Sequence, residues 1–137
     1  MTIMRSYAKG NWGQVHLRSY GESHRHGAIP LVCIHSTPSS GAMWDALLPR
    51  MGQDRLVIAP DTPGYGMSDA PPAPVTIPEY ASALGELCDT LGLEEINVVG
   101  FHTGSIIATE LAIMQPQRVR RVVAFGLAAY EAEARAQ

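Results

Sequence analysis

The stretch whose reading decides the fold is Ile96-Asn97-Val98-Val99-Gly100-Phe101-His102-Thr103-Gly104-Ser105-Ile106-Ile107. A short apolar run of strand length enters a Gly-x-X-x-Gly turn, and a helix-compatible segment follows. A strand and a helix that meet at so tight a turn bring their backbones close together, which requires small residues on either side of the apex. Gly100, Gly104 and Ser105 meet that requirement and leave His102 at the apex, with a predicted positive φ and a side chain lifted above the strand end.

Working outward, the rest of the chain alternates. Residues 3–9 and 13–20 alternate loosely around Gly10-Asn11-Trp12-Gly13 and read as an antiparallel hairpin. Pro30 to His35 and Arg55 to Pro60 are continuous apolar runs, as expected of strands covered on both faces. Val119 to Phe125 is another. Between them, Ala42 to Met51 reads as a short amphipathic helix with Trp44, Leu47 and Leu48 as its apolar stripe. Thr76-Ile77-Pro78-Glu79 is a capping box that opens a helix running to about Leu91 and ending at Gly92. The helix after the His102 turn runs from about Gly104 to Met114 and is stopped by Pro116. Glu131 to Gln137 could begin one more. A hairpin followed by strand-helix alternation predicts an α/β fold with a mostly parallel sheet, the helices packed on its faces.

Composition narrows the function classes. The chain has 137 residues and a formal net charge of -3, which fits one domain, residues 1–137. It offers no basic face, so no nucleic-acid partner is expected. No apolar run approaches the ~20 residues of a membrane-spanning helix, and Met1 to Tyr7 has no apolar signal core. Cys33 in a strand and Cys88 in a helix read as buried thiols, and the expected location is cytoplasmic. His24 and His26, in the polar turn Glu22–Gly27, have no Cys or carboxylate cluster around them to complete a metal set.

Three motifs stand after three successive strands: His35-Ser36-Thr37-Pro38, Asp61-Thr62-Pro63-Gly64-Tyr65-Gly66-Met67-Ser68-Asp69, and Gly100-Phe101-His102-Thr103-Gly104. Pro38 is followed by the small residues Ser39, Ser40, Gly41 and Ala42, and then by Trp44. Together they resemble the α/β-hydrolase family, in particular its haloalkane dehalogenase, epoxide hydrolase and C–C hydrolase-like branch, over about residues 12–127. The resemblance makes the Gly100–Gly104 turn a nucleophile elbow. It implies an oxyanion hole from the backbone N–H groups of Thr37 and Thr103, with a small-molecule substrate and no cofactor or metal. It also implies that His35 mostly supports backbone around the hole, although a general-base role stays open. Asp61 and Ser68 are expected to brace the loop after the second strand.

The departures from the family pattern shape the chemistry. The apex is His102, where the family carries Ser, Asp or Cys, and Ser36 replaces the Gly of His-Gly-x-Pro. The expected core is truncated after the sixth strand, so the cap, acid and catalytic-His regions of the family lie outside this sequence. An imidazole at the apex can attack an acyl centre, act as a general base on water, or serve only to bind. The positive end of the following helix favours the neutral ring, which leaves the first two options open. Thr103 and Ser105 are poor alternative nucleophiles, because one residue off the apex the side chain turns away. The leading expectation is hydrolysis of a small ester, amide, halide or related substrate. The alternatives are a non-catalytic binding protein, or a half-protein completed by a second chain. An apolar strand at 119–125, left without neighbours, is expected to drive homo-oligomerisation or association with such a chain.

Overall fold

A computed structural model of the chain describes residues 1–22 and 27–126. His24 and His26, and the segment 131–137, lie outside the described residues. The sheet has the order β1-β2-β4-β3-β5-β6, built from β1 (Met4–Gly10), β2 (Gly13–Tyr20), β3 (Leu31–Ile34), β4 (Val57–Pro60), β5 (Ile96–Phe101) and β6 (Val119–Phe125). The β1–β2 hairpin and the β2–β4 pair are antiparallel. The β4–β3–β5–β6 run is parallel. This is the α/β arrangement that the alternation of apolar runs predicts.

Period-two alternation divides the core between the two faces of the sheet. Val32, Ile34, Ile58, Ile96 and Val98 point to one face, where α2 (Ile77–Thr90) and α3 (Thr103–Met114) pack through Leu84, Leu87, Ile107 and Leu111. Leu31, Cys33, Val57, Ala59 and Val99 point to the other, against Trp44 and Leu48. Each fully buried Ile, Leu or Val contributes roughly 1.5–3 kcal/mol of transfer free energy to this packing.

Local chemistry sets the element ends. The Thr76 hydroxyl accepts from the Glu79 N–H at 3.4 Å, opening α2 as the capping box predicts. Gly92 follows α2 at φ 70°. The expected helix over 42–51 is instead two pieces, a 3-10 turn at Gly41–Trp44 and α1 at Leu47–Met51. Pro49 is the physical reason: with no N–H, it cannot donate to Asp45 and is tolerated only in a helix's first turn. Restarting the helix at Leu47 puts Pro49 there and frees Trp44 to turn into the sheet.

Along β6, Val119 is buried and Val122 is half-buried beneath α3, so these two are better covered than the sequence suggests. Val123 and Phe125, on the opposite face, are 59% and 43% exposed. Ile113 on α3 is also exposed. Among the described residues β6 pairs only with β5.

Candidate active site

β5 delivers His102 to the carboxyl end of the parallel strands, where open α/β sheets bind ligands. His102 has φ 51° and ψ -117°, and it is the one non-glycine residue with positive φ among the described residues. The turn is held from several sides. The His102 N–H donates to the Phe125 carbonyl at 3.0 Å. The His102 carbonyl accepts from the Ser105 N–H at 2.9 Å and from the Ser105 hydroxyl at 2.6 Å. Ser105 is thereby buried and committed to the turn, which removes it as an alternative nucleophile. A Cβ on Gly100 would run into the backbone of Gly104, and one on Gly104 into the carbonyls of Ile34 and His35. Both glycines are therefore fixed by close backbone approach. The second approach joins this turn to the end of β3.

The imidazole of His102 is exposed and makes no hydrogen bond with a described residue. It packs edge-on to Phe101, ring centroids 4.1 Å apart, and lies beside Gly126. Phe125 continues this aromatic wall, 5.0 Å from Phe101 and 6.1 Å from Trp44.

The turn after β3 stands opposite. Thr37 and Thr103, 66 residues apart in sequence, meet there with their hydroxyl oxygens 2.7 Å apart. Neither the Thr37 N–H nor the Thr103 N–H has a hydrogen-bond acceptor among the described residues. The Thr103 amide is free because the first N–H groups of a helix have no intrahelical partner. The Thr37–Pro38 peptide bond is cis. Ser36 keeps a negative φ, so its replacement of the family's Gly strains nothing in the backbone.

His35 is buried and bonded at both nitrogens. Nε2 accepts from the Thr62 N–H at 3.0 Å, which places the ring proton on Nδ1, where it donates to the Ser36 carbonyl at 2.7 Å. Burial pushes its pKa below the ordinary value of 6.5, against opposing pulls from the Ser36 carbonyl and the Asp61 charge. His35 thus ties the β3 turn to the β4 turn as a neutral strut, with no nitrogen left for a substrate.

Asp61 braces the third loop, as the sequence suggests, and reaches further than expected. Its buried carboxylate accepts from the Gly41 N–H at 2.7 Å, the Met67 N–H at 2.9 Å and His16 Nδ1 at 2.9 Å. The Ser68 hydroxyl donates to the Asp61 carbonyl and accepts from the His16 N–H. Sequence reasoning missed His16, and it missed Arg18, which pairs with Asp45 at 3.0 Å. The available signal was their i, i+2 spacing on a strand, which sets both on the face opposite Val15 and Leu17.

Residues 29–135 match a family described as alpha/beta hydrolase fold. The chain belongs to this family. Among curated relatives it is 36% identical over 110 residues to a 2-hydroxymuconate semialdehyde hydrolase of Pseudomonas sp. (strain CF600), covering 77% of this chain and 39% of the relative. Among solved structures it is similar to the epoxide hydrolase CorEH, with TM-score 0.82, 28% identity, and coverage of 89% of this chain and 41% of that one. It is also similar to a variant of the N-acyl homoserine lactonase AidH complexed with N-hexanoyl homoserine lactone, with TM-score 0.82, 29% identity, and coverage of 91% and 46%. The branch suggested by the three motifs is the one the epoxide hydrolase and the semialdehyde hydrolase represent. The chain spans about two-fifths of the length of such relatives, 39% in the Pseudomonas case. Among the described residues no helix is long and apolar enough to cross a membrane, and no three His, Cys, Asp or Glu side chains group as metal ligands would.

Proposed function

We propose that this chain carries the apex and oxyanion hole of a cytoplasmic, cofactor-independent hydrolase acting on a small organic ester, amide, halide or related substrate. The Gly100–Gly104 turn is its nucleophile elbow. His102 is the reactive side chain at the apex, as nucleophile or as general base on water. The Thr37 and Thr103 N–H groups stabilise developing negative charge on the substrate. His35, Ser36, Gly100 and Gly104 support the two turns.

The observation that carries this reading is the pair of acceptor-free amides beside an exposed apex held at φ 51°. A non-glycine residue with positive φ costs of order 1–3 kcal/mol, and such strain clusters at functional sites. An oxyanion hole needs donors that are not already satisfied. The hydrolase names of the matched relatives agree with the reaction class.

The test is hydrolysis of p-nitrophenyl acetate. Turnover by this chain is expected to be weak, to depend on a neutral imidazole, and to fall by roughly 100-fold or more in His102→Ala, the range of a general acid–base contribution. Fluorophosphonate probes, which need an activated hydroxyl, are expected to leave the chain unlabelled. Full activity in His102→Ala, or a labelled Thr103, would sink the assignment. No turnover of any ester, amide or halide would favour a binding protein.

The exposed Val123 and Phe125 on β6 favour a second element of the reading: a homo-oligomer, or a complementing chain, joined through the 119–125 edge. Sedimentation that gives only monomer at high concentration would remove the homo-oligomer and count against the complementing chain.

A further inference from the structure

Among the described residues, the hydroxyls of Thr37 and Thr103 form the one side-chain hydrogen bond between the β3 turn and the start of α3. Each hydroxyl has a single proton to donate. Between them, one proton closes the 2.7 Å bond and the other is left to donate elsewhere. Threonine is stiff at χ1, so both oxygens are held in place by their own backbones. Thr103 sits one residue past the apex, turned toward the β3 turn. Thr37 carries its hydroxyl and its unbonded N–H on the same residue.

We infer that the Thr103 hydroxyl donates to the Thr37 hydroxyl, and that Thr37 donates its own proton to a substrate carbonyl oxygen as a third oxyanion-hole donor. This rests on the proposed hole. Thr37 is then a catalytic residue through O–H as well as N–H, and the Thr103 side chain is a positioning residue that acts through it. A hydroxyl that accepts a hydrogen bond becomes a stronger donor, so the pair is worth more than Thr37 alone. An oxyanion offers three lone pairs, and two N–H groups with one O–H fill them. A displacement at a haloalkane carbon builds its charge on the departing halide and not on a carbonyl oxygen, so it does not use three donors converging on one oxygen. The substrate class is therefore a carbonyl compound: an ester, lactone, amide or activated ketone.

The experiment follows the Thr37 and Thr103 amide resonances of the full chain during titration with butyrate, an oxyanion mimic, alongside steady-state hydrolysis of p-nitrophenyl butyrate. In the unaltered chain butyrate is expected to shift both amides saturably. Thr37→Val is expected to weaken butyrate by about tenfold, the loss of one hydrogen bond to a charged group. Thr103→Val is expected to weaken it by less, Thr103→Ser to restore it, and the double Val variant to be no worse than Thr37→Val alone. With the ester, kcat is expected to fall while KM stays nearly constant, because the bond strengthens in the transition state. Amide shifts elsewhere report whether each variant keeps its fold, and Thr103→Ser supplies the conservative control. If butyrate moves both amides and the Val variants bind and turn over as the unaltered chain does, the hole stands and the relay is overturned. Additive losses in the double variant overturn it too. If butyrate moves neither amide, the hole falls, and the relay falls with it.

Discussion

Two histidines sit at the ends of adjacent parallel strands, and the regions around them could hardly differ more. His35, after β3, is buried and bonded at both nitrogens, to Ser36 and Thr62. His102, after β5, is exposed, stands at positive φ, and has an imidazole with no bond to a described residue. In the first region the fold uses an imidazole as a strut. In the second it accepts backbone strain to present one. A residue type is thus a weak guide to role. The state of its two nitrogens, and the cost of its backbone, separate support from chemistry.

The largest expected effect tests whether the two regions are one mechanical unit. Gly104 of the His102 turn lies against the Ile34 and His35 carbonyls. Gly104→Val must push the two turns apart, with an expected stability loss of about 4 kcal/mol or more, in the range reserved for severe backbone or packing clashes. Urea unfolding measures it. A loss below 1 kcal/mol would mean that the turns move independently.

Next comes the strut. His35→Gln is expected to lower stability by about 2–3 kcal/mol, since it leaves buried groups around the Thr62 amide and the Ser36 carbonyl poorly satisfied. The unaltered chain should also show a pH signature. His35 has a folded pKa below its unfolded value near 6.5. The unfolded chain then binds more protons at acid pH, so the contribution of His35 is full above about 6.5 and is lost as pH falls from there toward the folded pKa. His35→Gln should flatten that slope. An unchanged slope would assign the acid sensitivity to other groups.

The strain at the apex gives a smaller effect of opposite sign. His102→Gly relieves φ 51°, with an expected gain of about 1 kcal/mol after glycine's own entropy cost is counted. Together with the loss of turnover in His102→Ala, this would show stability traded for a presented side chain. A destabilised His102→Gly would mean that the ring's packing on Phe101 outweighs the backbone cost.

These contrasts were unevenly legible in the sequence. The parallel strands were legible because continuous apolar runs and turn residues are local signals, and the Gly100–Gly104 spacing placed the apex. The split of 42–51 was not read, although Pro49 was its local sign. The Asp61–His16 bond joins residues 45 apart, and the Thr37–Thr103 bond residues 66 apart. No periodicity encodes such pairs; they follow from strand order β2-β4-β3-β5, which the alternation pattern leaves undetermined. The strut role of His35 came from the family resemblance, and its hydrogen bonds to Ser36 and Thr62 came only with the structure.

The smallest expected effect is an absence of reaction, and it probes how closed the strut's surroundings are. Cys33 lies two residues before His35, on the face lined by Trp44, Leu48 and Val57. Cys88 lies on α2, against the opposite face. Both are free thiols. Burial pushes Cys33 up to about 12 and Cys88 up to about 11. Since the thiolate is the reactive species, both should resist an aromatic disulfide reagent at pH 8 and react only on unfolding. The rate should therefore follow the population of opened molecules. If Cys33 reacted promptly while Cys88 did not, the β3 end would be opening on its own. His35 would then belong to a mobile region, and its difference from His102 would be one of degree. Equal, slow reaction of both thiols, accelerated alike by urea, would mean that the core opens as a whole and that the strut holds until the fold is lost.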